Sequence, residues 1–108
     1  AKKYAPDKVE ALKLTGTFYW LIDKQKKALN YWAQSISEAK KMGASLELSR
    51  TYFEVGKRLF ERKSVFDELN KIKGKDYLLK ARSAFKAMDL RRDLKDLDRF
   101  ADLNQIAF

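Results

Sequence analysis

The chain has 108 residues, enough for one domain with one core, and its 24 Lys and Arg against 15 Asp and Glu give a net charge of +9. It contains neither Cys nor His, which excludes thiolate zinc sites, cysteine nucleophiles, Ser-His-Asp triads and disulfide frameworks. Four Gly and one Pro leave few turn signals, so the composition predicts helices with short connections.

The longest stretch without a charged residue is LTGTFYWLI, nine residues from Leu14 to Ile22, whereas a membrane-spanning helix needs about 20. No signal-peptide pattern opens the chain. We therefore expect a cytoplasmic protein with no membrane partner. Because the chain starts at Ala1 rather than Met, we expect it to be a fragment of a larger protein.

The first helix is predicted to begin near Pro6 and to be apolar on two sides. One stripe consists of Val9, Leu12, Gly16 and Tyr19, and a second stripe beside it consists of Ala11, Thr15, Phe18 and Ile22. A glycine inside a helix costs about 1 kcal/mol against alanine, so Gly16 is expected to mark a close approach of another helix.

The second helix is predicted over residues 26–42, after a short break in which Asp23 is the expected N-cap. Lys40 and Lys41 followed by Gly43 are typical of a helix C-terminus. The face that we expect to point inward carries Ala28, Trp32, Ser35 and Ala39.

The third helix, predicted over residues 44–62, again carries two apolar stripes around a central glycine, Gly56. The stripes are Leu46, Phe53 and Phe60, and Leu48, Tyr52 and Leu59. Two apolar faces require packing on two sides. Residues 64–74 break the helical period but keep several apolar side chains, so we expect an ordered, packed connection with one helical turn.

The fourth and fifth helices are predicted over residues 75–88 and 90–103. Their inward residues are expected to be Tyr77, Leu78, Ala81, Phe85 and Met88 in the fourth helix, and Leu90, Leu94, Leu97 and Ala101 in the fifth. The fifth helix also carries closely spaced aspartates among arginines and lysines. A catalytic pair would need burial, so these acids indicate a solvated ion-pair surface.

The order of motifs repeats. Helices one and three carry a mid-helix glycine, in LKLTGTFYW and YFEVGKRLF, and helices two and four carry a small residue four positions before an aromatic one, Ala28 with Trp32 and Ala81 with Phe85. This pattern resembles the tetratricopeptide-repeat (TPR) family. The segment from glycine to alanine is much longer in the second copy than in the first, so an insertion is expected there. LSRTYFEVGKRL and ARSAFKAMDLRRDL are similar to the C-terminal repeat regions of large bacterial signalling ATPases and nucleotide cyclases.

The resemblance implies an all-α fold, a right-handed helical-repeat stack of two TPR-like helix pairs plus a C-terminal closing helix. The implied boundaries within a single domain, 1–108, are 6–43 for the first pair, 44–89 for the second pair with an inserted loop at 64–74, and 90–104 for the closing helix. The second stripe of the first helix would lack a preceding helix. We therefore expect an exposed apolar strip there and weak self-association.

The resemblance also implies a ligand groove lined by the first helix of each pair. Carried onto this chain, the groove residues are Lys13, Thr17, Trp20, Arg50, Phe53, Lys57 and Phe60, with Glu10, Leu21 and Glu61 beside them. Basic and aromatic side chains together suit an acidic, partly apolar peptide. The alternative is that Trp20, Phe53 and Phe60 pack on a neighbouring repeat that is missing from this sequence. The family's chaperone-binding version has Asn where this chain has Thr17, so that ligand is not expected.

The leading functional prediction is a non-catalytic protein–protein interaction or coupling module in a multidomain signalling protein, without cofactor or metal. Its partner would be a protein, an acidic peptide or another domain of the same chain. The chain lacks nucleotide-binding glycine motifs. The alternative is a basic helical domain that binds nucleic acid, for which only the net charge argues.

Overall fold

The computed structural model describes residues 5–108 and has an all-α fold, as predicted. Residues 1–4 of the predicted domain lie outside the described residues. The elements, in chain order, are α1 (Ala5–Leu21), α2 (Gln25–Met42), α3 (Ser45–Leu59), β1 (Glu68–Leu69), β2 (Ile72–Lys73), α4 (Gly74–Ala87) and α5 (Arg91–Leu103). The two short strands pair antiparallel, with Leu69 opposite Ile72.

The first two helices form an antiparallel pair that is locked by buried polar contacts. The Ser35 hydroxyl on α2 donates to the Val9 carbonyl at 2.9 Å, and the Trp32 Nε1 donates to the Lys13 carbonyl at 3.2 Å. The indole of Trp32 lies directly against Gly16, where a Cβ atom would stand 2.4 Å from the ring. The glycine therefore permits the close helix approach that its position predicts.

The third and fourth helices form the second antiparallel pair, and α5 packs against both. Gly56 faces the side chain of Leu78 and the carbonyl of Gly74. The main core joins the two pairs through Trp20, Trp32, Val55, Leu59 and Tyr77, and a smaller cluster of Ala81, Phe85 and Leu97 seats α5 on α4.

Three helix-to-helix turns share one backbone conformation. Asp23, Gly43 and Asp89 each adopt a left-handed conformation, with φ of 63°, 65° and 54°. In each turn the next residue donates its N–H to a carbonyl five positions earlier, as in Lys24 to Tyr19 at 2.9 Å. Glycine occupies the left-handed position in only one of the three turns.

Several local predictions are corrected by the structure. Asp23 is not the N-cap of α2, because it occupies the left-handed position and Lys24 follows as the cap residue. The third helix ends at Leu59 rather than residue 62. The connection to α4 contains a β-hairpin rather than a helical turn, with Asn70 and Lys71 at positive φ in its two-residue turn.

The predicted correspondence between the two pairs is also shifted. Gly16 contacts Trp32, whereas Gly56 contacts Leu78 rather than Phe85, the residue that the repeat pattern places opposite it. By contact, Leu78 therefore stands opposite Gly56 as Trp32 stands opposite Gly16. Phe85 lies further along α4, reaches α5 and belongs to the second cluster.

No helix among the described residues is long and apolar enough to cross a membrane.

Candidate functional site

The two helices that were predicted to line a groove, α1 and α3, lie side by side, and α5 lies against α3. Thr17 and Trp20 of α1 contact Glu54 and Glu61 of the α3 segment, and Arg50 of α3 contacts α5. We call the surface that carries these contacts the α1–α3–α5 face. The seven predicted site residues lie on α1, on α3 or directly after α3, but their environments differ, and Trp20 lies beneath this face rather than on it.

A chain of polar contacts joins α1 to α3 on this face. Thr17 donates its hydroxyl hydrogen to Glu54, and Arg58 donates from its guanidinium to Glu54 at 2.9 Å and to Glu61 at 2.7 Å. Burial opposes the ionisation of Glu54, but the hydrogen bond from Thr17 and the charges of Lys57 and Arg58 outweigh it, so the pKa of Glu54 is lowered. The carboxylate of Glu54 is therefore the anion that holds this network together.

Trp20 lies in the core rather than on the open surface. Its side chain is fully buried, its ring centroid lies 5.4 Å from that of Trp32, and its Nε1 donates to Glu61 at 2.9 Å. Lys63 caps the Trp20 carbonyl at 2.8 Å. The prediction that Trp20 offers its ring to a ligand is corrected, because no part of that ring reaches solvent.

The second aromatic residue, Phe53, is half-buried between α4 and α5. Its ring packs edge-on against those of Phe85 and Phe100, each with centroids 6.2 Å apart. Phe60 packs against Phe100 in the same way at 6.5 Å and keeps 39% of its surface exposed. Of the three predicted aromatic residues, Phe60 is thus the most accessible to a ligand.

The predicted basic residues are all held in ion pairs. Arg50 donates from Nε and from one terminal nitrogen to Asp93, both at 3.0 Å, and this bond, acting against a smaller effect of burial, raises the pKa of Arg50. Lys13 pairs with Glu10 at 3.0 Å. Lys57 lies 3.4 Å from Glu54 and sits above the ring of Phe53.

Charge on the α1–α3–α5 face is balanced, and the excess lies elsewhere. Lys13, Arg50, Lys57 and Arg58 are matched by Glu10, Glu54, Glu61 and Asp93. By contrast, α2 and α4 each carry four basic residues and one acidic residue, which places six of the nine excess charges on these two helices. The basic residues are Lys26, Lys27, Lys40 and Lys41 on α2, and Lys75, Lys80, Arg82 and Lys86 on α4.

Two residues of the face, Asp93 and Phe100, were not predicted as part of it. Both belong to α5, which was expected only to close the stack. The signal for Glu54 and Arg58 was present, because they are spaced four apart on one helix, but that spacing does not reveal that Thr17 bonds the same carboxylate.

The described residues contain no group of three or more acidic side chains that could hold a metal ion. Comparison with family models, with curated proteins and with solved structures finds no match for this chain.

Proposed function

We propose that this chain is a TPR-like, non-catalytic module that binds a protein or peptide, within a cytoplasmic signalling protein. We also propose that its helices form a right-handed stack and that it is related to the TPR family. The observation that carries the proposal is the α1–α3–α5 face, where three helices present ordered charge pairs around the ring cluster of Phe53, Phe60 and Phe100. The charged residues described on this face form ion pairs with one another, and the proposal gives none of them a catalytic role.

The ligand that suits this face is an acidic peptide with an apolar side chain. Its carboxylates would compete with Glu54 for Lys57 and with Glu10 for Lys13, and its apolar group would cover Phe60. Glu54 keeps its bonds to Arg58 and Thr17 when Lys57 turns to a ligand, so the exchange leaves no buried carboxylate without a partner. Because the face is charge-balanced, the apolar contact must supply much of the affinity, and we expect binding in the micromolar range.

The test is a pair of double variants read by fluorescence anisotropy with a labelled Glu- and Leu-rich peptide. Lys57→Ala with Phe60→Ala removes one cation and one exposed ring from the face. Lys86→Ala with Val65→Ala makes a matched change on α4 and in the connection before it, at positions that are both exposed. We expect at least a tenfold loss of affinity for the first variant only, measured at a temperature where both variants are folded. Equal binding by both variants would reject the face as the site.

A second candidate function, nucleic-acid binding, is favoured by the separation of charge. The outer residues of α2 at spacings of three and four are Lys26, Asn30, Gln34, Ser37 and Lys41, all exposed and none acidic. Lysines and amides in such a row suit a phosphate backbone rather than a base-specific contact. This surface is separate from the α1–α3–α5 face, so the two functions can be tested independently.

The measurement for this candidate is the affinity for a labelled single-stranded oligonucleotide as a function of salt. Lys26→Gln with Lys41→Gln should weaken binding at least fivefold and reduce the dependence on salt. Arg92→Gln with Lys95→Gln removes the same charge from α5, which has four basic and four acidic residues, and serves as the control. Equal losses in both variants would mean that only the total charge matters.

A further inference from the structure

The side of α1 that faces away from the core is apolar and exposed. Leu14 and Phe18 each keep 55% of their surface accessible, Leu21 keeps 59%, and Ala11 is exposed beside them. Ile22, with 45% exposed, borders the same stripe just after the helix. From Leu14 to Ile22 the sequence has no charged residue, in a chain whose net charge is +9.

The spacing along this stripe is that of a helix–helix seam. Ala11, Leu14, Phe18 and Leu21 follow one another by three, four and three residues, which is the spacing of side chains that interlock with a second helix. The exposed parts of these side chains amount to about 300–500 Å², at the size where an apolar patch on a monomer usually marks an interaction site. The chemistry of the stripe therefore fits another apolar helix.

The other end of the molecule does not supply such a helix. The outward side of α5 carries five charged residues, Arg91, Lys95, Asp98, Arg99 and Asp102, which line a shallow depression together with Leu94 and the exposed Leu103. Seating this surface on the α1 stripe of a second molecule would bury charges against leucine and phenylalanine. A head-to-tail chain of molecules is thereby disfavoured.

We infer that the α1 stripe is the contact surface of a homodimer, in which the α1 helices of two copies pack antiparallel across a two-fold axis. An isologous contact uses the same patch twice and leaves both polar α5 surfaces in water. Antiparallel pairing centred between Leu14 and Phe18 sets the small Ala11 against the large Leu21 of the second copy. It also brings the exposed Asp7 at one end of α1 towards Lys24, which follows the other end.

The size of the contact predicts a weak dimer. A stable interface usually covers about 800 Å² on each partner, roughly twice the estimate for this stripe. Two chains of charge +9 also repel each other, although the contact itself is free of charge between Leu14 and Ile22. We expect a dissociation constant on the order of 100 µM and stronger association when salt is added.

Sedimentation equilibrium over a wide concentration range tests the inference. The parent chain should dimerise, and Phe18→Lys should weaken the dimer at least tenfold. Val65→Lys introduces the same charge at a residue that is 80% exposed in the connection after α3, and it should dimerise like the parent. A parent that stays monomeric at millimolar concentration, or an equal loss in both variants, would overturn the inference.

Disulfide crosslinking tests the antiparallel arrangement, because the chain has no cysteine of its own. Mixing Ala11→Cys with Leu21→Cys under oxidation should give the mixed dimer in excess of either homodimer. Parallel pairing would instead crosslink Ala11→Cys to itself, and contact elsewhere on the molecule would give no preference. Either of these results contradicts the two-fold antiparallel contact.

Discussion

At the scale of single residues, a substitution at the contact between Gly16 and Trp32 tests whether the glycines within the helices are needed for close helix packing. Trp32 is fully buried and its Nε1 is bonded to the Lys13 carbonyl, so the ring cannot move without losing that bond. We expect Gly16→Ala to lower the free energy of unfolding by about 1–2 kcal/mol, because overpacking outweighs the gain in helix propensity. Urea unfolding followed by tryptophan emission measures both the loss and the displaced ring.

The control for this substitution is Gly43→Ala. Gly43 has φ of 65° and no atom within 4 Å of an added Cβ, so alanine there strains the backbone without touching a side chain. It should cost a similar amount of stability but leave the tryptophan emission of the native state unchanged. A shifted emission in Gly43→Ala, or an unshifted one in Gly16→Ala, would contradict the packing argument.

Glu54 gives a second prediction at this scale, in the dependence of stability on pH. Its pKa in the folded state lies below its ordinary value of 4.5, so its contribution is fully present above that value and is lost as the pH falls through the lowered pKa. Glutamine resembles the protonated side chain. We therefore expect Glu54→Gln to be less stable than the parent by about 1–3 kcal/mol near neutral pH, with the difference shrinking in acid.

Chemical unfolding at several pH values from neutral to about 3 measures this difference. Glu68→Gln makes the same chemical change at an exposed hairpin position and corrects for the change in net charge. A difference that stays constant with pH would show that Glu54 acts through packing rather than through its charge.

Trp20 shows why the candidate site could be predicted only in part. It lies four residues after Gly16, on the edge between the core-facing and open sides of α1, so spacing alone allows either environment. Its buried indole donates its hydrogen to Glu61, which lies 41 residues away. Which residue accepts this hydrogen bond depends on how α3 packs on α1, and no local sequence pattern indicates that. The basic residues could be predicted to lie at the surface, but their pairing with Asp93 and Glu54 could not be predicted.

At the scale of the elements, the helices were predicted closely and the connection after α3 was not. Apolar residues recurring every three or four positions located all five helices, with ends within three residues of those observed for α2 to α5. The hairpin lacks the Asn-Gly pair that marks such turns, since Lys71 takes the glycine position at φ of 65°. Tyr77 fixes the hairpin by donating to the Leu69 carbonyl at 2.7 Å, and burial raises the pKa of Tyr77 to about 12.

The shared helix-to-helix turn predicts that glycine is the better residue at its left-handed position. Asp89 holds φ of 54° there and makes only an exposed ion pair with Arg91 at 3.3 Å. Asp89→Gly should therefore raise the free energy of unfolding by about 0.5–1 kcal/mol, and Asp89→Ala should lower it. Thermal unfolding of the two variants beside the parent gives the order. If alanine were as stable as glycine, the backbone conformation would not be what limits this turn.

At the scale of the whole molecule, charge is sorted between two sets of helices. The helices α1 and α5 are balanced, α3 has one excess positive charge, and α2 and α4 have three each. This sorting was available from the sequence once the helix boundaries were known. Counting charge over thirds of the chain hides it, because each third mixes helices of both sets. The molecule therefore offers a charge-balanced face and two basic helices, and ligands of the two would differ in charge.

The sorting of charge also predicts how salt affects stability. Lysines crowd α2 and α4, and Lys26 and Lys75 lie in the first turns of these helices, where the helix dipole disfavours a positive charge. Raising the salt concentration from about 10 to 150 mM shortens the screening length from about 30 to 8 Å and should weaken this repulsion. The Glu54 and Arg58 pair is largely buried and is screened less. We therefore expect the melting temperature to rise by a few degrees, roughly 2–5 °C.

Two double variants test this explanation. Lys26→Gln with Lys75→Gln should melt at a higher temperature than the parent at low salt and should respond less to added salt. Arg92→Gln with Lys95→Gln, on the charge-balanced α5, should keep the parent's response to salt. A melting temperature that falls with salt would mean that surface ion pairs, rather than repulsion between the basic helices, dominate the electrostatic free energy of the fold.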